Sequence, residues 1–305
     1  MNVGALTEQR NPKTAEIDLA SALAIVDLIN AEDRTVAAAV HAQRAPIAAA
    51  LTAVEEVLRS GGRLFYAGAG TSGRLGVLDA SEIPPTFGAP PDLVQGIIAG
   101  GTAALTRSQE GAEDRPEGAR DDLDQAGVRA GDLVIGIAAS GTTPYVRAAL
   151  QHARTLGART AIIACSPPPA DTLAAADIAI VVLTGPEAVT GSTRMKAGTA
   201  TKLVLNTITT GAMIRLGKTY GNLMVDLQAS NAKLRDRAER IICEVCDVTR
   251  DEGRELLRGA DGSVKLAIVM KKLNLSAADA RAALEREGGV IRRVVKGAPP
   301  PVVSA

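Results

Sequence analysis

A chain of 305 residues is long enough for one large α/β domain or for two smaller units, each with a proper core. Hydrophobic residues make up 46% of it and aromatics only 2%, so Ala, Val, Leu and Ile must build that core. With 34 Lys+Arg against 34 Asp+Glu the formal charge is zero, which excludes the electrostatic footprint expected for nucleic acid or an anionic membrane, though not a phosphorylated small molecule held by backbone amides.

The opening residues, MNVGALTEQRNPKTAEID, carry no apolar leader, and no run of about 18 apolar residues follows that would span a bilayer, so a cytoplasmic protein is expected. Residues 14–60 read as two helices. Thr14 is a candidate cap for the first, whose Leu19, Ala22, Leu23, Val26 and Ile29 recur at helical spacing. The second runs from about Val36 to Ser60 and is stopped by Gly61-Gly62. From Arg63 the texture changes to short apolar runs alternating with Ala-rich helical stretches. The runs are Arg63–Ala67, Leu93–Ala99, Leu133–Ala138, Thr160–Cys165 and Ile178–Leu183. Their nearly continuous apolar character fits strands buried on both faces, hence a parallel five-stranded sheet with helices on either side. Long helical patterns follow over about Arg194–Leu216 and Asn222–Thr249. In the small helical subdomain beyond, Thr249-x-x-Glu252 and Ser276-x-x-Asp279 have the form of capping boxes. The tail Ala298–Ala305 (APPPVVSA) reads as disordered.

Three loops at strand ends carry chemistry. Gly68–Gly76 (GAGTSGRLG) contains G-x-G-x-x-G, but no acidic residue ends the second strand to hold a ribose, so a dinucleotide site, a plain glycine turn and an anion site facing Thr71 and Ser72 all stand open. Ser140-Gly141-Thr142-Thr143-Pro144 puts hydroxyls and free amides where a helix begins, which serves as an N-cap or as a phosphate site. Thr190–Lys202 offers Ser192 and Thr193 as caps, yet places Arg194 and Lys196 in the first helical turn, where cations oppose the macrodipole. A nearby anion, or an acid from a partner subunit, would explain them; a solvated pair is the plainer reading. Glu82, in Asp79–Gly88 (DASEIPPTFG), where Pro84-Pro85 should end any helix, and Glu113, in Glu110–Asp114 (EGAED), are not distinguished by composition alone. With only His41 and His152, both in Ala-rich helical patterns and read as packing residues, proton transfer falls to carboxylates, Lys, Tyr or Cys. Cys243-Glu-Val-Cys246 has no second pair of cysteines and reads as helix positions; no metal site is apparent.

Taken together, GAGTSGRLGVLDASEIPPTFG, EGAED, GIAASGTTPYV (Gly136–Val146), TGSTRMKAGTATKLVLN (Thr190–Asn206) and KTYGNLMVDLQASNAKL (Lys218–Leu234) resemble the sugar isomerase (SIS) domain, and within it the N-acetylmuramic acid 6-phosphate etherases. The resemblance spans nearly the whole chain. It implies a three-layer, doubly wound SIS domain over residues 61–219, with N-terminal helices (1–60) packing on it, a C-terminal helical subdomain (220–297) and a tail (298–305). It implies a cytoplasmic homodimer acting on an amino-sugar phosphate without a cofactor. Glu82 and Glu113 match the family's acid/base pair, with Glu113 as base and Glu82 as acid. Thr71, Ser72, Gly73, Ser140, Gly141 and Thr143 match the phosphate-binding positions, with Ser192 and Arg194 beside them. An aldose–ketose isomerase and a non-catalytic sugar-phosphate sensor of the same fold remain the competing readings. Both glutamates, and the lack of a recognisable helix-turn-helix, speak against the sensor.

Overall fold

The computed structural model describes residues 5–227 and 231–300. Contacts among them cluster into two compact units. One is formed by the chain up to Ser81 together with Asp92–Thr209, the other by Glu82–Pro91 together with the chain from Thr210 on.

The first unit opens with three short 3-10 turns and then α1 (Ala22–Asp33), α2 (Val36–Ala42) and α3 (Arg44–Arg59). Where two helices were expected there are three, because the chain turns at Arg34-Thr35 and again at Gln43. Ser21, not Thr14, caps α1, accepting from Ala24 N at 3.3 Å; the Thr14 hydroxyl instead donates to Ala188 O at 2.8 Å. His41 is exposed on α2, so it is not a packing residue.

The expected strands follow as β1 (Leu64–Gly68), β2 (Val94–Ile98), β3 (Leu133–Ile137), β4 (Arg159–Ala164) and β5 (Ile178–Val181). They form one fully parallel sheet in the order β2-β1-β3-β4-β5. Between them lie α4 (Gly70–Phe87), α5 (Pro116–Gln125), α6 (Pro144–Thr155) and α7 (Ala170–Ala174), and α8 (Lys196–Arg215) follows β5. Phe65, Val134, Ile162 and Ala164 point to one face of the sheet and pack with Leu123, Val146 and Leu150 of α5 and α6. The close approach of α6 depends on Gly136: a Cβ there would stand 2.7 Å from Val146 Cγ1. On the opposite face Tyr66 lies under α4, where a Cβ on Gly76 would stand 2.8 Å from its Cβ. Helices on both faces of an all-parallel sheet make this a doubly wound α/β fold. The order departs to one side from β1 to β2 and to the other from β1 to β3, so the switch point lies between β1 and β3.

Pro84 and Pro85 do not end α4, which continues to Phe87. Proline has a helix-compatible φ, and its cost is the bonds its missing N–H cannot make to the carbonyls of Ala80 and Ser81. The helix closes where Gly88 (φ +60°) donates to Pro84 O at 2.9 Å.

In the second unit the expected helix over 222–249 begins only at Ala232. A two-stranded antiparallel hairpin precedes it, β6 (Thr219–Tyr220) and β7 (Leu223–Met224), turning at Gly221-Asn222. Gly221 has φ +60°, as such a tight turn requires. Helices α9 (Ala232–Cys246), α10 (Arg250–Gly259), α11 (Val264–Leu273), α12 (Ala277–Arg286) and α13 (Ile291–Val295) complete the unit. Ile242, Val245, Leu257, Val264, Ile268 and Ile291 are among the residues that build its core. Cys246 is buried on α9 and Cys243 half-buried, both free. The Thr249–Glu252 capping box forms reciprocally. At α12 the Ser276 hydroxyl accepts from Asp279 N, but the Asp279 side chain takes the hydroxyl proton and does not reach back to the backbone. Residues 228–230 of the fifth motif and 301–305 of the tail lie outside the described residues. No helix among the described residues is long and apolar enough to cross a membrane.

Candidate active site

The strand β1 ends at Gly68 and the chain enters α4 two residues later, with Gly70 at φ +52°. The glycines make this turn sterically feasible. A Cβ on Gly73 would lie 2.6 Å from Ile98 Cγ1 and 2.7 Å from Gly68 O, and one on Gly68 would lie 2.8 Å from Gly73 N. Strand end and helix start therefore touch through bare backbone. Thr71 and Ser72 sit half-buried in the first turn of α4, so this segment is a helix N-terminus at the carboxyl edge of the sheet rather than an extended loop.

The second loop lies on the other side of the switch point, after β3. The Ser140 hydroxyl accepts from Thr142 N at 3.2 Å and shares a 2.8 Å hydrogen bond with the Thr142 hydroxyl. Gly141 is buried at φ +75°, where a Cβ would stand 2.8 Å from Pro168 Cα. Thr143 takes the N-cap position of α6 with Pro144 at the first helical residue, yet its hydroxyl makes no capping bond. No side chain caps the first-turn N–H groups of α6, which leaves them directed at whatever occupies the strand ends.

In the third loop, neither Ser192 nor Thr193 caps α8. The cap is Glu187, fully buried, whose two carboxylate oxygens accept from Lys196 N and Ala197 N, both at 2.9 Å. Burial raises the Glu187 carboxyl above its ordinary range, against the lowering effect of those two amides. Lys196 is itself buried and bonded through Nζ to Glu32 at 2.6 Å. The anion called for by Lys196 is thus supplied within the chain, by Glu32. Arg194 precedes α8 and is exposed; Ser192 is half-buried. The start of α8 adjoins the first loop, since a Cβ on Gly198 would stand 3.6 Å from Thr71 Cγ2.

Beyond the ends of β1 and β2 a cavity of about 260 Å³ opens, lined by Gly70, Arg74, Ala104, Gln109, Glu110 and Glu113 among others. Glu113 reaches it from a 3-10 turn, Ala112–Asp114, that follows Gly111 at φ +73°. The structure therefore brings Glu113 together with the first loop, and places the Ser140–Thr143 loop on the neighbouring strand end. Glu82 is exposed near the end of α4, belongs to the second unit and is not among the residues lining this cavity. The middle of α4 is held by Asp79, buried, which accepts from Tyr66 OH at 2.9 Å, Asn206 Nδ2 at 2.6 Å and Thr209 Oγ1 at 3.2 Å. Burial lifts the Asp79 carboxyl above its ordinary range, partly offset by these three donors.

Sequence reasoning missed Glu187, Asp79 and Arg74. For Arg74 the signal was its place within GAGTSGRLG, the loop already open to reading as an anion site. Among the described residues no group of three or more His, Cys, Asp or Glu is placed to hold a metal ion.

Residues 46–154 match the family model of the glucokinase regulatory protein N-terminal SIS domain. The N-acetylmuramic acid 6-phosphate etherase of Synechococcus sp. (strain CC9902) is 55% identical over 287 residues, 94% of this chain and 90% of that protein. The chain belongs to the N-acetylmuramic acid 6-phosphate etherase family. The etherase of Mycolicibacterium smegmatis is 52% identical over 97% of this chain and 99% of its own length. Among solved structures, a phosphoheptose isomerase from Neisseria gonorrhoeae aligns with a TM-score of 0.48 at 18% identity, covering 62% of this chain and 96% of that one. The segments on which the sequence resemblance rests coincide with structural parts just described: the strand-to-helix turn of GAGTSGRLG, the uncapped α6 start of SGTTP, and the cavity-lining Glu110–Glu113.

Proposed function

We propose that the chain is a carbon–oxygen lyase that cleaves the D-lactyl ether of N-acetylmuramic acid 6-phosphate, giving N-acetylglucosamine 6-phosphate and D-lactate. What carries this reading beyond the relatives' names is Glu113, a carboxylate lining a cavity beside the α4 start and one strand from an uncapped helix N-terminus.

An alkyl ether has a poor leaving group and resists direct displacement. Opening the sugar ring exposes an aldehyde at C1, which acidifies the hydrogen at C2. Glu113 removes that proton, the C3–O bond breaks by β-elimination, and Glu82 as acid delivers a proton to the departing lactyl oxygen. Water then adds to C3 and C2 is reprotonated by the same two groups in reversed roles. The net change is hydrolysis, with no change of oxidation state to demand a redox cofactor. The 6-phosphate is assigned to the amides and hydroxyls of Thr71, Ser72 and Gly73 at α4 and of Ser140, Gly141 and Thr143 at α6, because helix N-termini suit an oxyanion, and Ser192 and Arg194 are assigned to the same group. We assign the chain to the cytoplasm as a homodimer. The exposed apolar residues Leu23 and Val26 on α1, with Leu19 in the 3-10 turn before it, support self-association.

The test is D-lactate release from synthetic N-acetylmuramic acid 6-phosphate, run in D2O with wild type, Glu82→Ala and Glu113→Ala. Wild type should release lactate and place deuterium at C2. Both variants should lose release by at least about 10²-fold. Folded wild type that binds the sugar phosphate without turnover would place the chain among sensors. Interconversion of aldose and ketose phosphates without lactate release would place it among isomerases.

A further inference from the structure

We propose that Arg74 recognises the carboxylate of the D-lactyl group. This rests on the etherase reading and adds to it the residue that tells an N-acetylmuramic sugar from its lactate-free counterpart.

The first observation is position. Arg74 lies one turn into α4 and lines the same cavity as Glu113, the proposed C2 base. The second is its bonding. Nε donates to Leu105 O at 3.0 Å, which fixes the guanidinium plane, while the side chain has no ion-pair partner among the described residues. A half-buried guanidinium held by one edge presents its other N–H groups as a planar fork, the geometry that matches a carboxylate.

The substrate's own chemistry selects which anion that is. N-acetylmuramic acid 6-phosphate carries two, the 6-phosphate and the lactyl carboxylate. The lactyl group hangs from C3, next to the carbon Glu113 deprotonates, whereas the phosphate lies at the far end of the sugar chain. Tetrahedral phosphate is served by the amides and hydroxyls of the two helix starts. With the phosphate so assigned, Arg74, which shares a cavity with the base, is the cation left for the C3 substituent. Binding the carboxylate there fixes the C3–O bond and screens the leaving lactate from Glu110 and Glu113, which line the same cavity.

The experiment compares wild type, Arg74→Gln and Arg74→Lys on N-acetylmuramic acid 6-phosphate and on its lactamide analogue, in which a neutral amide replaces the carboxylate at nearly the same shape. Wild type should prefer the acid by about 10- to 100-fold in kcat/KM, as expected for a charge-assisted bidentate contact. Arg74→Gln should bring that preference to within about threefold, chiefly by losing the acid substrate, and Arg74→Lys should retain part of it. Calorimetric binding of the same two compounds gives the acid-to-amide ratio whether or not turnover occurs. Absence of lactate release from wild type would therefore sink the etherase activity alone. An acid-to-amide ratio unchanged by Arg74→Gln, with both ligands weakened equally, would overturn the role of Arg74 and assign it to the phosphate or to the fold.

Discussion

Residue by residue, the site is made as much by missing atoms as by functional groups. Gly68 and Gly73 approach so closely that a methyl group on either would strike backbone. The flanking Thr71 and Ser72 owe their position to that contact. Gly73→Ala is expected to destabilise the protein by about 1–3 kcal/mol, because the nearest obstacles are Gly68 O and Ile98 Cγ1 rather than the end of a flexible side chain. A urea titration reads this as a lowered midpoint with unchanged slope. The same variant should weaken binding of N-acetylglucosamine 6-phosphate, since the first turn of α4 must back away from the strand. A midpoint within about 0.5 kcal/mol of wild type would show that the turn tolerates the methyl group after all.

Elements came out of the sequence where their signals are local. The five apolar runs gave the five strands, and Gly-rich turns after the first and third marked the two strand ends that flank the switch point. The errors arose where a local rule competes with a distant contact. Pro84-Pro85 is a helix breaker by rule, yet α4 runs through it to Phe87. Gly221-Asn222 is a hairpin signal, but it was absorbed into a helical pattern that begins ten residues later. The cap of α8 was sought in Ser192 and Thr193 because capping residues normally adjoin the helix. It lies instead at Glu187, nine positions before Lys196, brought there by the loop that follows β5. Glu113 and Glu82 were singled out only through the motifs that carry them, since an exposed glutamate has no local signature; of the two, Glu113 lines the cavity and Glu82 does not. Because Glu187 satisfies two N-terminal amides at once, Glu187→Ala should cost about 2 kcal/mol, the upper end for an N-cap. It should also raise hydrogen exchange at the Lys196 and Ala197 amides, which NMR would resolve. Unchanged protection at those amides would mean that Glu187 is not the cap.

At the scale of the whole molecule, the first unit is closed by a charge cluster that joins segments far apart in sequence. Glu32 on α1 accepts from Asn11 Nδ2 at 2.9 Å and from Lys196 Nζ at 2.6 Å, and pairs with Lys13 at 3.1 Å. The N-terminal segment, α1 and the start of α8 thus depend on one carboxylate. Burial alone would raise the Glu32 carboxyl, but the hydrogen bonds from Lys196, Asn11 and Lys13 prevail and bring it from 4.5 to about 2. In the unfolded chain Glu32 takes up its proton near 4.5, and in the folded chain only near 2, so over that window the unfolded state binds more protons. The stabilisation from this cluster is therefore complete above about pH 4.5 and is lost as pH falls toward 2. Glu32→Gln should remove this contribution. Lys196 is buried, so losing its counter-charge should also lower stability at pH 7 by about 3 kcal/mol, the range for breaking a buried pair. Urea midpoints measured for wild type and Glu32→Gln from pH 7 down to pH 3 would separate the two curves at neutral pH and bring them together in acid. Parallel curves across that range would show that Glu32 titrates alike in both states, and that this cluster does not govern the acid limit of the fold.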